Sequence, residues 1–407
     1  MKTLVQKFGG SSLSSLEGRE EAIGQIRSAI EEGYAVCVVV SAMGRQGQPY
    51  ATDTLLTWMN EHGSALEAKD LDLLLHCGEV ISATTLASML NQKQIPTTVF
   101  TGGQAGIITN REFGNAQIQK VEPDRLRQAL QDYKVVVVTG FQGRTLEWEI
   151  TTLGRGGSDT TATALGVALQ AERVDIFTDV SGVMTADPQI VEEAQQLEMV
   201  TYTEIANMAY QGAKVIHPRA VELAMQGNIP IRIRSTFTNG LGTLVTHRSE
   251  LERGKGVAER LITGIAHISN ITQIKVYAKE GQYDLQLSVF KAMAEHEISV
   301  DFINVNPIGV AYTVRDAYTE KAVHILREMG YEPKVIPRCA KVSLIGAGMA
   351  GVPGVMAQIT EALNEKDIQI LQCADSHTTI WVLVKNDDTN RALRALHHKF
   401  NLHKVSN

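Results

Sequence analysis

Cysteine is scarce, four in 407 residues, and no two have Cys-x-x-Cys spacing, so neither a disulfide framework nor a thiolate metal centre is indicated. Cys37, Cys77, Cys339 and Cys373 read as reduced core thiols. There is no block of Lys and Arg, and formal net charge is -7, which removes the electrostatic footprint of a nucleic-acid binder. No apolar run approaches the ~18 residues of a membrane span, and Lys7 interrupts the amino-terminal stretch a signal peptide needs, so a cytoplasmic chain without membrane attachment is expected. A Walker A loop, Gly-x-x-x-x-Gly-Lys-[Ser/Thr], is also missing. What remains is ordinary globular composition, 44% apolar and 20% charged, on a chain long enough for two or three domains.

Up to about Thr246, apolar runs alternate with helical patterns. Residues 4–8, 35–41, 97–100, 135–140, 174–177 and 229–234 read as strands, and 16–32, 71–91, 122–132, 158–170 and 202–210 as helices. Such alternation implies an α/β sandwich around a mainly parallel sheet. The stretch 247–262 is rich in charge and glycine and reads as a linker. Beyond it one pattern occurs twice, over 263–338 and 339–407, each a ferredoxin-like βαββαβ unit.

Four constellations carry chemistry. Lys7-Phe8-Gly9-Gly10-Ser11-Ser12 ends the first strand; two glycines and a lysine before a helix suit a phosphate cradle, although a strand ending in Gly-Gly is also an ordinary tight turn. Gly154-Arg155-Gly156-Gly157-Ser158-Asp159 opens a helix, with Ser158 or Asp159 as a natural cap, and a guanidinium among glycines there suits a carboxylate held through two hydrogen bonds. Cys77-Gly78-Glu79 lies at or near a helix start, where an acidic residue complements the helix dipole. If Glu79 faces the cleft instead, it pairs with an ammonium. The run from Thr178 to Pro188 follows a strand, at the edge where open α/β sheets bind ligands.

Together these pieces, with Ser41-Ala42-Met43-Gly44, Thr101-Gly102-Gly103-Gln104-Ala105-Gly106, Gly140-Phe141-Gln142-Gly143 and Gly212-Ala213-Lys214-Val215, resemble the aspartokinase branch of the amino acid kinase family. The resemblance covers essentially the whole chain. Lys-Phe-Gly-Gly-Ser-Ser with Thr-Leu-Gly-Arg-Gly-Gly-Ser-Asp separates that branch from uridylate, acetylglutamate or carbamate kinases, and the length with two trailing repeats is similar to the monofunctional, Bacillus-type enzymes.

The resemblance implies phosphoryl transfer from ATP, with Mg²⁺, to L-aspartate, the first step toward diaminopimelate and lysine, threonine and methionine. By similarity, Lys7, Gly9 and Gly10 hold the ATP phosphates near Ser41. Thr178, Asp179, Met184, Thr185, Ala186, Asp187, Pro188, Gln189 and Lys214 surround the rest of the nucleotide. Glu79 takes the substrate ammonium, Arg155 with Gly156, Gly157 and Ser158 takes a carboxylate, and Thr52 completes the pocket. Lys7 and Asp159 form the catalytic pair, Asp159 orienting Lys7 or the substrate; no protein metal ligands are assigned. A non-catalytic amino-acid sensor on the same fold is the rival of a different class, and the joint presence of Lys7, Glu79, Arg155 and Asp159 argues against it.

Gly346-Ala347-Gly348-Met349-Ala350-Gly351 matches the dinucleotide pattern Gly-x-Gly-x-x-Gly, but the βαββαβ unit around it offers no further parallel strands for a Rossmann sheet. These repeats resemble ACT domains, which implies an effector loop using Gly348, Met349 and Gly354, with Asn304 facing it. Feedback by diaminopimelate, lysine or threonine and homo-oligomerisation through the ACT domains are expected on the same ground.

Overall fold

In the computed structural model, residues 2–63, 66–213, 215–247, 261–278, 284–349 and 351–404 are described. They form two compact units. The first comprises the chain up to Val183, Gln196–Tyr210 and the described residues from 215 to 247; the second takes Met184–Gln195, Gln211–Ala213 and those from 261 onward.

The first unit is built on an eight-stranded sheet in the order Met199–Thr201, Thr243–Thr246, Ile231–Ser235, Val174–Thr178, Thr3–Phe8, Ala35–Val40, Val135–Thr139, Thr97–Phe100. All neighbours are parallel except Ile231–Ser235 with Thr243–Thr246. Ala-Val-Cys-Val-Val-Val at 35–40 is buried at every position, as a strand covered on both faces must be. The helix Gly157–Leu169 is buried along most of its length and is made of Gly, Ser, Thr, Ala, Val and Leu beside Asp159. Small residues let it sit tightly on the sheet: a Cβ on Gly166 would lie 2.4 Å from Val174 Cγ2. Parallel strands end at one edge, so the turns after Phe8, Val40, Thr139 and Thr178 share one rim.

All six expected strands lie in this sheet. Two helices, Thr52–Glu61 and Pro218–Gly227, and a second sheet, Ile118–Val121, Ile107–Thr109, Gln142–Arg144, Ile150–Thr152, were not anticipated. Its strands have three or four residues, too short for periodicity to register. The helix Ala68–Gln92 has the length and mean hydropathy of a membrane span, yet in this unit it buries Asp72 and Glu79 together with Leu75, Leu86 and Leu90. Core packing accounts for its apolar composition. Of the cysteines, Cys37 and Cys339 are buried, whereas Cys77 and Cys373 are exposed, which corrects the expectation of four core thiols; all are free.

The second unit contains a six-stranded antiparallel sheet, Asp301–Asn306, Gly309–Arg315, Gly264–Tyr277, Lys334–Ile345, Thr379–Lys385, Gln372–Asp375. Two of its strands are long and serve both repeats. Residues 271–277 pair with 309–315 in the first repeat, while 264–268 pair with 341–345 in the second. The division at 263 and 339 therefore needs correction: the last strand of the second repeat comes from residues 264–268, ahead of the first. The core of the second repeat also includes Ala186, Val191 and Ala194.

Candidate active site

The rim of the parallel sheet gathers most of the expected residues. Lys7, at the end of its strand, extends its ammonium to Asp159 Oδ1 at 2.7 Å, both side chains nearly buried. Asp159 Oδ2 also accepts the backbone N–H of His217 at 3.3 Å. A Cβ on Gly9 would lie 3.7 Å from the Lys7 ammonium, and one on Gly10 would meet the Ala42 carbonyl oxygen at 2.3 Å. Glycine at position 10 is thus required by packing. The helix after these glycines is one turn, Gly10–Leu13, with the long helix Leu16–Glu31 starting later, so the dipole once expected at the cradle is that of four residues. Ser41 follows the next strand, and its N–H donates to the Phe8 carbonyl at 3.2 Å.

Glu79 sits three turns inside the helix Ala68–Gln92, not at its start, which removes the helix-dipole explanation for it. Its side chain is 2% exposed. One oxygen accepts the Ala42 N–H at 3.0 Å, and the other, Oε2, has no partner among the described residues. Burial pushes its carboxyl up to about 8. Gly78 lets the helix pass Ala42 closely, since a Cβ there would lie 2.8 Å from Ala42 Cβ.

The helix Gly157–Leu169 is capped by Gly156 in a left-handed conformation (φ +68°) without a side-chain cap. Ser158 and Asp159 lie inside its first turn, contrary to the capping expectation, and Asp159 is left to Lys7. A Cβ on Gly156 would lie 2.1 Å from the His217 ring. Arg155 is exposed on this loop and has no carboxylate partner among the described residues. Thr52 is half-buried at the first position of Thr52–Glu61.

Thr178 and Asp179 end the strand Val174–Thr178, and Asp179 pairs with Arg45 at 2.9 Å across exposed surface. Met184, Thr185, Ala186, Asp187, Pro188 and Gln189 belong instead to the second unit. There the Thr185 hydroxyl bonds His397 Nε2 at 2.9 Å, and Ala186 is buried in the core of the second repeat. Lys214 lies outside the described residues. No group of three or more His, Cys, Asp or Glu side chains is gathered for a metal among the described residues.

In the second unit Gly348 is exposed, Met349 is buried and Gly354 caps Val355–Asn364 at φ +89°. Asn304 lies on an edge strand and lines a cavity of about 400 Å³ with Gln273, Lys275, Tyr277 and Gln372. No described residue of the 346–354 loop lines that cavity.

Sequence reasoning missed several supports. Asp72 accepts from Thr152 N–H and Thr152 hydroxyl, both at 2.7 Å, and from Gly114 N–H at 3.0 Å. Arg219 donates to the carbonyls of Leu153 at 3.0 Å and Ala116 at 2.8 Å. Asp72 and Glu79 are seven residues apart on a largely apolar helix, a spacing that puts both on one face and was readable in advance. Pro218 at the first helical position was a comparable signal for the helix that carries Arg219.

The amino acid kinase family model matches residues 2–235, and an ACT domain model matches 334–398. Aspartokinase 1 of Bacillus subtilis is 56% identical over 404 residues, covering 99% of this chain and 100% of the relative. Escherichia coli aspartokinase III in complex with aspartate and ADP superposes with a TM-score of 0.78 at 25% identity, covering 98% of this chain and 99% of that one. The same enzyme with lysine and aspartate gives 0.78 and 25% over 99% and 100%.

Proposed function

This chain belongs to the aspartokinases of the amino acid kinase family, and from that membership we propose that it transfers the γ-phosphoryl group of ATP to the β-carboxylate of L-aspartate. The products are ADP and 4-phospho-L-aspartate, the first intermediate toward diaminopimelate and lysine, threonine and methionine. Glu79 carries the reading. A carboxylate 2% exposed, with one oxygen unpartnered among the described residues, calls for a cation, and the ammonium of an amino-acid substrate supplies it.

With the ammonium on Glu79, the Arg155 guanidinium and the backbone of Gly156, Gly157 and Ser158 take the α-carboxylate, and Thr52 closes the pocket. The β-carboxylate is ionised near neutral pH, so its oxygen attacks the γ-phosphorus without a general base as the bond to the bridging β–γ oxygen breaks. Lys7, kept oriented by Asp159, places positive charge where negative charge spreads over the transferring oxygens. Gly9, Gly10 and Ser41 border the same rim and hold the triphosphate, and Thr178 and Asp179 hold the nucleoside side; Met184, Thr185, Ala186, Asp187, Pro188, Gln189 and Lys214 are assigned to the nucleotide by family resemblance alone. Mg²⁺ bound to the triphosphate would neutralise part of its charge, and Lys7, Gly9, Gly10 and Ser41 would hold that complex.

The ACT repeats make this a feedback-regulated enzyme, its effector an amino-acid end product, diaminopimelate, lysine or threonine, held with Gly348, Met349, Gly354 and Asn304. Ile303 and Val305, 48% and 53% exposed on the edge strand Asp301–Asn306, support association of two copies through these repeats. The chain acts in the cytoplasm. The test is ATP-dependent hydroxamate formation with aspartate, glutamate and N-acetylglutamate as acceptors: turnover restricted to aspartate is expected, and turnover with another acceptor in its place overturns the reading.

A further inference from the structure

The helix Ala68–Gln92 buries two carboxylates on one face, and their surroundings are opposite. Among the described residues Glu79 keeps an oxygen unpartnered, whereas Asp72, 1% exposed, is saturated by three donors. All three come from the strand that leads into the carboxylate clamp and from the loop packed against it. Thr152 ends the strand leading to Arg155 three residues on. Gly114 belongs to the loop against which Gly154 packs: a Cβ on Gly154 would lie 2.6 Å from Asn115 Oδ1 and 3.2 Å from the Gly114 carbonyl oxygen. Arg219, on the Leu153 and Ala116 carbonyls, ties the same two segments to each other but not to the helix.

We propose that Asp72 is a positioning residue of the aspartate pocket: by fixing Thr152 and Gly114 to the helix that carries Glu79, it sets the separation between the ammonium site and the Arg155 clamp and so selects aspartate over glutamate. Seven helical residues place Asp72 and Glu79 about 10 Å apart along the axis, so the anchor is remote from the reacting atoms. The proposal rests on the aspartokinase reading. A residue of this kind acts on how the amino acid fits and leaves the Lys7–Asp159 end of the rim alone.

The experiment is steady-state kinetics on full-length wild type, Asp72→Asn and Thr152→Val, varying aspartate and ATP separately and using glutamate as an alternative acceptor. Asparagine keeps the volume but offers an NH₂ where one oxygen accepted, and Thr152→Val removes one bond only. In Asp72→Asn the aspartate KM rises roughly ten- to hundredfold, as loss of hydrogen bonds to a buried charge implies, while the ATP KM stays within about twofold. The preference for aspartate over glutamate narrows, and Thr152→Val moves the same way by less. Equal rises in both KM values, or an unchanged aspartate KM and acceptor preference, overturn the proposal. If Asp72→Asn does not fold, Thr152→Val decides by the same criteria. A wild type inactive with aspartate refutes the aspartokinase reading itself, independently of the variants.

Discussion

The glycine loop at residues 154–157 in the kinase unit and the one at 346–354 in the ACT unit both precede helices, and they are built differently. In the first, every glycine is enclosed: a Cβ would lie 2.6 Å from Asn115 at Gly154, 2.1 Å from His217 at Gly156 and 2.8 Å from Phe141 at Gly157. In the second, Gly346 is packed at the base against the Leu261 carbonyl, but Gly351 and Gly354 have nothing among the described residues within 4 Å of an added Cβ. Both loops use positive φ, at Gly154 and Gly156 as at Gly351 and Gly354. The same residue thus does two jobs. In the kinase loop it admits neighbours that fix the backbone in advance, which is what an oriented anion site needs. In the ACT loop it admits a backbone conformation and leaves room beside it.

Gly156→Ala breaks the comparison most severely. Overlap with His217 and a strained left-handed alanine together cost about 3 kcal/mol or more, so we expect a large fall in thermal midpoint and loss of turnover. Lys7→Ala lowers kcat at saturating ATP by roughly a hundredfold or more, as removal of a charge aimed at the transferring group does, and also lowers the thermal midpoint because Asp159 loses its nearly buried partner. Glu79→Gln sharpens the case for a prebuilt pocket through pH. The folded chain holds a proton on Glu79 up to about 8, against an ordinary value of 4.5, so its stability without substrate falls as pH rises between those values. Relative to wild type, Glu79→Gln is stabilised above pH 8, by roughly 3–5 kcal/mol at the upper bound, and unchanged below 4.5. Its aspartate KM is expected to be raised and to lack the improvement with rising pH expected of wild type as Glu79 ionises. Gly354→Ala is mildest: with open space around it, only the left-handed backbone costs, about 1 kcal/mol, visible as a small shift in midpoint with kinase turnover retained.

Legibility followed the same division. The parallel core was readable because runs such as Val135–Thr139 are apolar at nearly every position and two-sided burial is the one state that suits them. The second sheet was not, since strands such as Gln142–Arg144 and Ile150–Thr152 are three residues long and find each other only as antiparallel partners in the folded sheet. Lys7, Gly10, Arg155 and Asp159 were singled out from local composition. That Asp159 faces Lys7, and that Glu79 stands three turns into its helix, are facts about contacts 152 residues apart and about where a helix begins, which composition does not encode. The exchange of residues 264–268 into the second repeat is of the same kind, since pairing partners are decided by the sheet.

The most direct test of the account is the aspartate KM of Arg155→Ala, measured at saturating ATP beside the ATP KM at saturating aspartate. Arg155 is exposed rather than buried, so the expected loss is that of a charge-assisted hydrogen-bonding pair, roughly ten- to hundredfold in aspartate KM with the ATP KM nearly unchanged. An aspartate KM equal to that of wild type would contradict the assignment of this loop as the carboxylate clamp.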